Sequence, residues 1–146
     1  MHPEIHLNYL AILAAMVSNM VLGFLWYGPL FGKAWLKEMG LPLDCKPEPK
    51  VMRRAMTLMV IGSFLTAYVL AHSVQVWRPS TWNAGADAPN ATYGFFAGLF
   101  TWIGFYVPVL FGAVSWENKS WKLFAINAAY YFVALQAAGM ILAFWR

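Results

Sequence analysis

The side chains best suited to hold a metal in this sequence are three histidines. His2 and His6 are four apart, a spacing that places both on one face of a helix, and His72 lies toward the end of the second apolar run, on the same side of the membrane as the N-terminus. Three imidazoles at similar depth could bind zinc or copper, and one alone could ligate the metal of a haem or a chlorophyll. A frayed N-terminus plus one hydrogen-bonded intramembrane His would leave the same pattern, so the cofactor stays unknown. Carboxylate chemistry is disfavoured, because Glu4, Glu38, Asp44, Glu48, Asp87 and Glu117 all fall in flanks or loops, whereas proton-coupled pumps need an ionisable group within their spans. There is no Gly-rich phosphate loop, no Ser/His/Asp set, no Cys pair beside the lone Cys45 and no basic groove for nucleic acid. The expectation is a protein that is not an enzyme.

What must position these residues is a set of apolar runs at about 7–30, 55–77, 93–116 and 121–145. They contain no acid and, apart from Lys122 at the edge of the last, no Lys or Arg, and about twenty apolar residues in a helix cross a ~30 Å hydrocarbon core. Composition agrees, with 61% hydrophobic, 18% aromatic and 11% charged residues. A soluble chain of this kind would expose too much apolar surface. The fold class is therefore all-α, an integral membrane four-helix bundle forming a single domain over 1–146. The first run is expected to stay in the mature chain, since residues 1–6 carry Glu4 and no basic residue, unlike the front of a cleavable signal.

Orientation follows from the cations. Lys33, Lys37, Lys46, Lys50, Arg53, Arg54, Lys119 and Lys122 lie between spans one and two or three and four, leaving only Arg78 and Arg146 for the other side. The positive-inside rule puts both termini outside, periplasmic for a bacterial inner membrane, and loops 31–54 and 117–120 in the cytoplasm. Aromatic residues form two belts, Trp26, Tyr27, Trp35, Trp116 and Trp121 at the inner interface and Tyr9, Trp77, Trp82, Tyr93 and Trp145 at the outer. Trp102 and Tyr106 lie mid-span and read as packing residues. The loop from Gly32 to Arg54 reads as a short interfacial helix followed by an irregular stretch broken at Pro42, Pro47 and Pro49. Its cations set topology and could also touch anionic lipid headgroups. The loop from Arg78 to Asn90 reads as an irregular turn or short cap, and Asn90-Ala91-Thr92 matches a glycosylation acceptor.

Helix packing is read from small residues, because close backbone approach drives association in lipid. Ala11, Ala15, Asn19 and Gly23 recur every four residues, Gly94 and Gly98 make a GxxxG, and Gly104 with Pro108 is expected to bend the third span. Asn127 and Gln136 join Asn19 as polar residues inside the spans, where interhelical hydrogen bonds are worth about 0.6 kcal/mol each. A repeat is visible between Gly23-Phe24 with Pro29-Leu30-Phe31-Gly32 and Trp35, and Gly104-Phe105 with Pro108, Leu110-Phe111-Gly112 and Trp116. It would make two same-topology hairpins related by a pseudo-twofold axis along the membrane normal.

Asn8-Tyr9-Leu10-Ala11, the string Trp26-Tyr27-Gly28-Pro29-Leu30-Phe31-Gly32-Lys33-Ala34-Trp35 with the Gly23-Phe24-Leu25 before it, Asn127 and Trp145-Arg146 resemble the small bacterial four-span proteins catalogued as domain of unknown function 1761. The resemblance implies a four-helix membrane fold and transfers no catalytic residue. Physically, Trp26 and Tyr27 anchor the helix at the interface, Gly28 and Pro29 end or kink it, and Lys33 with Trp35 and Lys37 begins the surface segment. The expected role is a non-catalytic scaffold or accessory subunit that binds helices and lipids, as a homo-oligomer or with other membrane subunits. Two rivals stand beside it: a small transporter or channel formed between subunits and lined by Asn19, Asn127 or Gln136, and a metal- or tetrapyrrole-binding subunit using His72 or His2/His6.

Overall fold

The computed structural model describes Pro3 and residues 5–146, and within them the chain forms helices joined by loops, without strands. Four stretches are long and apolar enough to cross a membrane, Tyr9–Leu30, Pro49–Val76, Asn90–Ser115 and Trp121–Phe144. The first is α1 (Tyr9–Leu25), started by Asn8, whose side chain accepts from the Leu10 and Ala11 amides. A short α2 (Gly32–Glu38) follows at the basic end, as the interfacial helix was expected to. The second span is α3 (Pro49–Val76). It starts six residues before the expected boundary, because a proline at the first helical position gives up only an amide that has no partner there. Arg53 and Arg54 thus stand in its first two turns, exposed, instead of in an irregular loop. The third span is α4 (Asn90–Thr101) continuing into α5 (Val107–Ser115), and the fourth is α6 (Trp121–Phe144), capped by the Ser120 hydroxyl on the Leu123 amide.

Two spans are interrupted by a widened π turn, Trp26–Leu30 and Trp102–Tyr106. In each, an amide bonds five residues back to a tryptophan carbonyl, Phe31 to Trp26 and Val107 to Trp102. Prolines explain the place: Pro29 and Pro108 lack an amide hydrogen and press on the carbonyl four residues earlier, and a π turn relieves both defects. The stretches that share this local form are Trp26-Tyr27-Gly28 and Trp102-Ile103-Gly104, a different register from the repeat read in the sequence. Both indoles point inward, Trp26 donating to the Ile126 carbonyl at 3.1 Å and Trp102 to that of Ala128 at 2.8 Å. Trp26 is therefore a tie between spans, not only an interfacial anchor.

The core is built at one end. Ala11, Ile12 and Ala15 of α1, Ala67, Leu70 and Val74 of α3, Tyr93 and Ala97 of α4, and Leu135, Ala138 and Leu142 of α6 form one buried cluster. Gly94 and Gly98 serve the close packing expected of them, since a Cβ at Gly94 would lie 2.7 Å from the Gly139 carbonyl and one at Gly98 2.9 Å from that of Leu135. Gly104 and Pro108, expected in packing, are instead exposed, and a Cβ at Gly104 would meet open space. They shape the third span without joining it to another helix.

This end is sealed by Arg78, which begins the stretch read in the sequence as an irregular turn or short cap and is fully buried. Its guanidinium meets Asp87 at 3.3 Å, Asn90 Oδ1 at 3.0 Å and the Ala143 carbonyl at 3.0 Å, and stacks on Tyr93 at 4.5 Å. The Ala143 contact supplies positive charge to the last turn of α6, where helix carbonyls lack partners. Arg146 joins the same Asp87 at 3.3 Å. The Ser80 amide, then the Ser80 hydroxyl and Arg78, hold the Asp87 carboxyl below its usual range. Asn90 is thus engaged in this cap as well. At the opposite, basic end, Glu38 of α2 bonds the Ser120 hydroxyl and lies 3.6 Å from Lys122, contacts led by Ser120 that lower its carboxyl pKa.

Candidate functional site

Toward the basic end the bundle opens. The buried residues of α3 begin only at Ser63, so its first turns stand away from α1 and α6. Between them lies a cleft of about 570 Å³, within the size range of small-molecule sites. Phe24 and Leu58, 58% and 61% exposed, are among its lining, so the cleft borders the apolar outer surface of the bundle. Met56, Met59 and Gly62 of α3 form one wall, Ala15, Asn19 and Gly23 of α1 another, and Tyr130, Tyr131 and Ala134 of α6 the floor, with Tyr106 reaching in from the third span.

No Asp, Glu, Lys, Arg or His among the described residues lines this cleft. Its polarity comes from amides and hydroxyls alone. Asn19 Nδ2 donates to Ser63 Oγ at 2.8 Å, while Tyr130 donates to Asn19 Oδ1 at 3.0 Å, so one amide links α1 to both α3 and α6. Gly23 suits the same link, because a Cβ there would lie 3.2 Å from the Tyr130 hydroxyl, which would have to give by a few tenths of an ångström. Nearer the basic end, Tyr27 donates to Asn127 Oδ1 at 2.8 Å. Thr66 and Tyr106 share a hydrogen bond of 3.0 Å across α3 and the third span. Ring contacts join the tyrosines, Tyr27 to Tyr130 at 5.0 Å, Tyr130 to Tyr131 at 5.1 Å and Tyr131 to Tyr106 at 4.6 Å.

Of the residues singled out by sequence, Asn19 lines the cleft and Asn127 supports it through Tyr27, whose hydroxyl faces a partner helix and not the interface. Gln136 lies elsewhere: it faces α4, with Nε2 3.4 Å from the Phe95 carbonyl and Oε1 buried without a hydrogen bond. The three amides therefore do not line one path within a subunit. Lys33, Lys37, Arg53 and Arg54 are exposed at the basic end, and Trp35 packs edge-on to Tyr27 at 5.9 Å. His72 is half-buried outside the cleft, with Nδ1 2.9 Å from the Tyr68 carbonyl and its ring against Tyr68 at 4.6 Å. His6 is exposed before α1, and His2 lies outside the described residues. Among the described residues no three His, Cys, Asp or Glu side chains gather as a metal site would require.

Sequence reading missed Tyr130 and Tyr131. A hydroxyl on an aromatic ring hides in an apolar run, and only the shared facing of Asn19, Ser63 and Tyr130 toward one space reveals it.

No curated protein and no solved structure shows a significant match to the chain. The family model described as protein of unknown function (DUF1761) matches residues 10–143, nearly the whole chain, and the chain therefore belongs to that family.

Proposed function

We propose that the protein is a non-catalytic integral membrane protein that takes an uncharged, lipid-like molecule into the cleft between α1, α3 and α6. The observation that carries this reading is an open cleft of about 570 Å³ lined by hydroxyl and amide groups, with no ionised side chain in its lining among the described residues. The tyrosine and serine hydroxyls of the lining stand, among the described residues, without the His, Lys or carboxylate neighbour that commonly activates such a group, which favours binding over catalysis. An apolar mouth opening to acyl chains with a few polar groups deep inside suits a ligand that arrives from within the bilayer. In this reading membrane lipids are the partner, and the exposed cations of the basic end rest against anionic headgroups. The basic loops 31–54 and 117–120 face the cytoplasm of a bacterial inner membrane, with both termini outside.

Native mass spectrometry after gentle extraction tests the reading, using Gly62→Phe to fill the cleft. A Cβ at Gly62 meets nothing within 4 Å, so the larger side chain enters free space without straining a helix contact. The wild-type protein should retain a lipid-sized mass enriched over bulk lipid, and Gly62→Phe should lose it while keeping its thermal stability. Equal retention by both proteins, or no enrichment in either, would contradict the proposal.

A further inference from the structure

We infer that the cleft selects an amphiphile whose uncharged head carries carbonyl oxygens, an inference that rests on the binding role proposed above. The hydroxyl protons facing the cleft carry it. In the observed arrangement Tyr130 donates at Asn19, 3.0 Å from Oδ1 and 3.2 Å from the backbone carbonyl, while Nδ2 donates to Ser63 Oγ, which acts as acceptor. Among the described residues the proton of Ser63 then finds no acceptor, although the residue is only 4% exposed. Tyr131 lines the cleft, and its hydroxyl makes no hydrogen bond among the described residues. Thr66 and Tyr106 form one hydrogen bond between two hydroxyls, so one of the pair keeps a proton to donate.

One cleft therefore presents O–H donors from Ser63, Tyr131 and the Thr66/Tyr106 pair, with neither a cation nor a carboxylate in its lining among the described residues. An unpaired hydroxyl is costly where no bulk water reaches, and a carbonyl supplies two lone pairs without adding a donor. An anionic head would be desolvated here without a countercharge. A quaternary ammonium would meet aromatic faces but leave the hydroxyls unpaired. The tail fits the remaining wall, where Met56 and Met59 adapt to irregular chains. A quinone on an isoprenoid tail and a diacylglycerol, whose two ester carbonyls stand beside a single hydroxyl, share this uncharged carbonyl chemistry.

Calorimetric titration of the purified full chain in micelles with decylubiquinone, dioctanoylglycerol and dodecyltrimethylammonium separates the cases. At least one carbonyl probe should bind about tenfold more tightly than the cationic one, and the stronger of the two identifies the source. Tyr131→Phe and Ser63→Ala should each weaken that probe about five- to tenfold, the loss of one hydrogen bond in a dry site, with unchanged melting temperature for Tyr131→Phe. Tighter binding of the cation, or unchanged affinity in both variants, overturns the inference. If Gly62→Phe still weakens the probe in that event, the cleft remains a binding site with different selectivity; if Gly62→Phe has no effect either, the proposed function falls with the inference.

Discussion

At the scale of single residues, the spans are tied by side chains that combine an apolar body with one hydrogen-bonding atom. Asn19 reaches both Ser63 and Tyr130, whereas Tyr27 reaches only Asn127. Asn19→Ala is therefore expected to destabilise the bundle by about 1–2 kcal/mol and Tyr27→Phe by about half that, from typical interhelical hydrogen bonds in membranes, measured by unfolding in mixed micelles. At the opposite end, Asp87 has a depressed pKa because it accepts from the Ser80 amide and faces Arg78. A carboxylate whose pKa is lower folded than unfolded gives stability that is full above its unfolded value and is lost as pH falls through the folded one. Thermal stability should therefore decline below about pH 4, the ordinary range of an aspartate, and Asp87→Asn should flatten that acid limb. Sequence identified Asn19, Asn127 and the charge of Arg78, but neighbours such as Trp77 and Pro79 made Arg78 look like a loop residue. Its burial depends on Ala143, 65 residues away.

At the scale of elements, helix contact and helix shape are assigned to different glycines. Gly94 faces the Gly139 carbonyl at a distance a side chain cannot share, while Gly104 faces open space in a π turn. Gly94→Ala is expected to cost about 1–3 kcal/mol through overpacking, and Gly104→Ala to stay within about 0.5 kcal/mol of the parent, both read by the same unfolding assay. Apart from the start of α3, which Pro49 moves into the basic loop, the limits of the spans were legible to within about three residues because hydropathy sets them directly. The π turns were signalled by Pro29 and Pro108, but whether proline ends, kinks or widens a helix depends on what re-pairs the freed carbonyls. Here α6 accepts the adjoining Trp26 and Trp102 indoles and holds both turns against the bundle.

At the scale of the whole molecule, one end is sealed by the Arg78 cap and a small-residue core, and the other is splayed open around uncharged hydroxyls. The four spans and their family were readable from hydropathy and from the Trp26–Trp35 string; the cleft was not, because it depends on where α3 leaves its neighbours. Cys45, the only cysteine and exposed in the loop between α2 and α3, gives a native probe of orientation. A membrane-impermeant maleimide should label it only after the cells are opened, as expected for a cytoplasmic loop. The central claim, that a lipid-like molecule occupies the cleft, is tested most directly by photocrosslinking with a diazirine-bearing acyl lipid in membranes, followed by mapping of the modified peptides. Adducts should concentrate on Met56, Met59 and Tyr131 and disappear in Gly62→Phe; adducts spread evenly over outward-facing residues such as Phe105 and Val109, unchanged by that substitution, would contradict it.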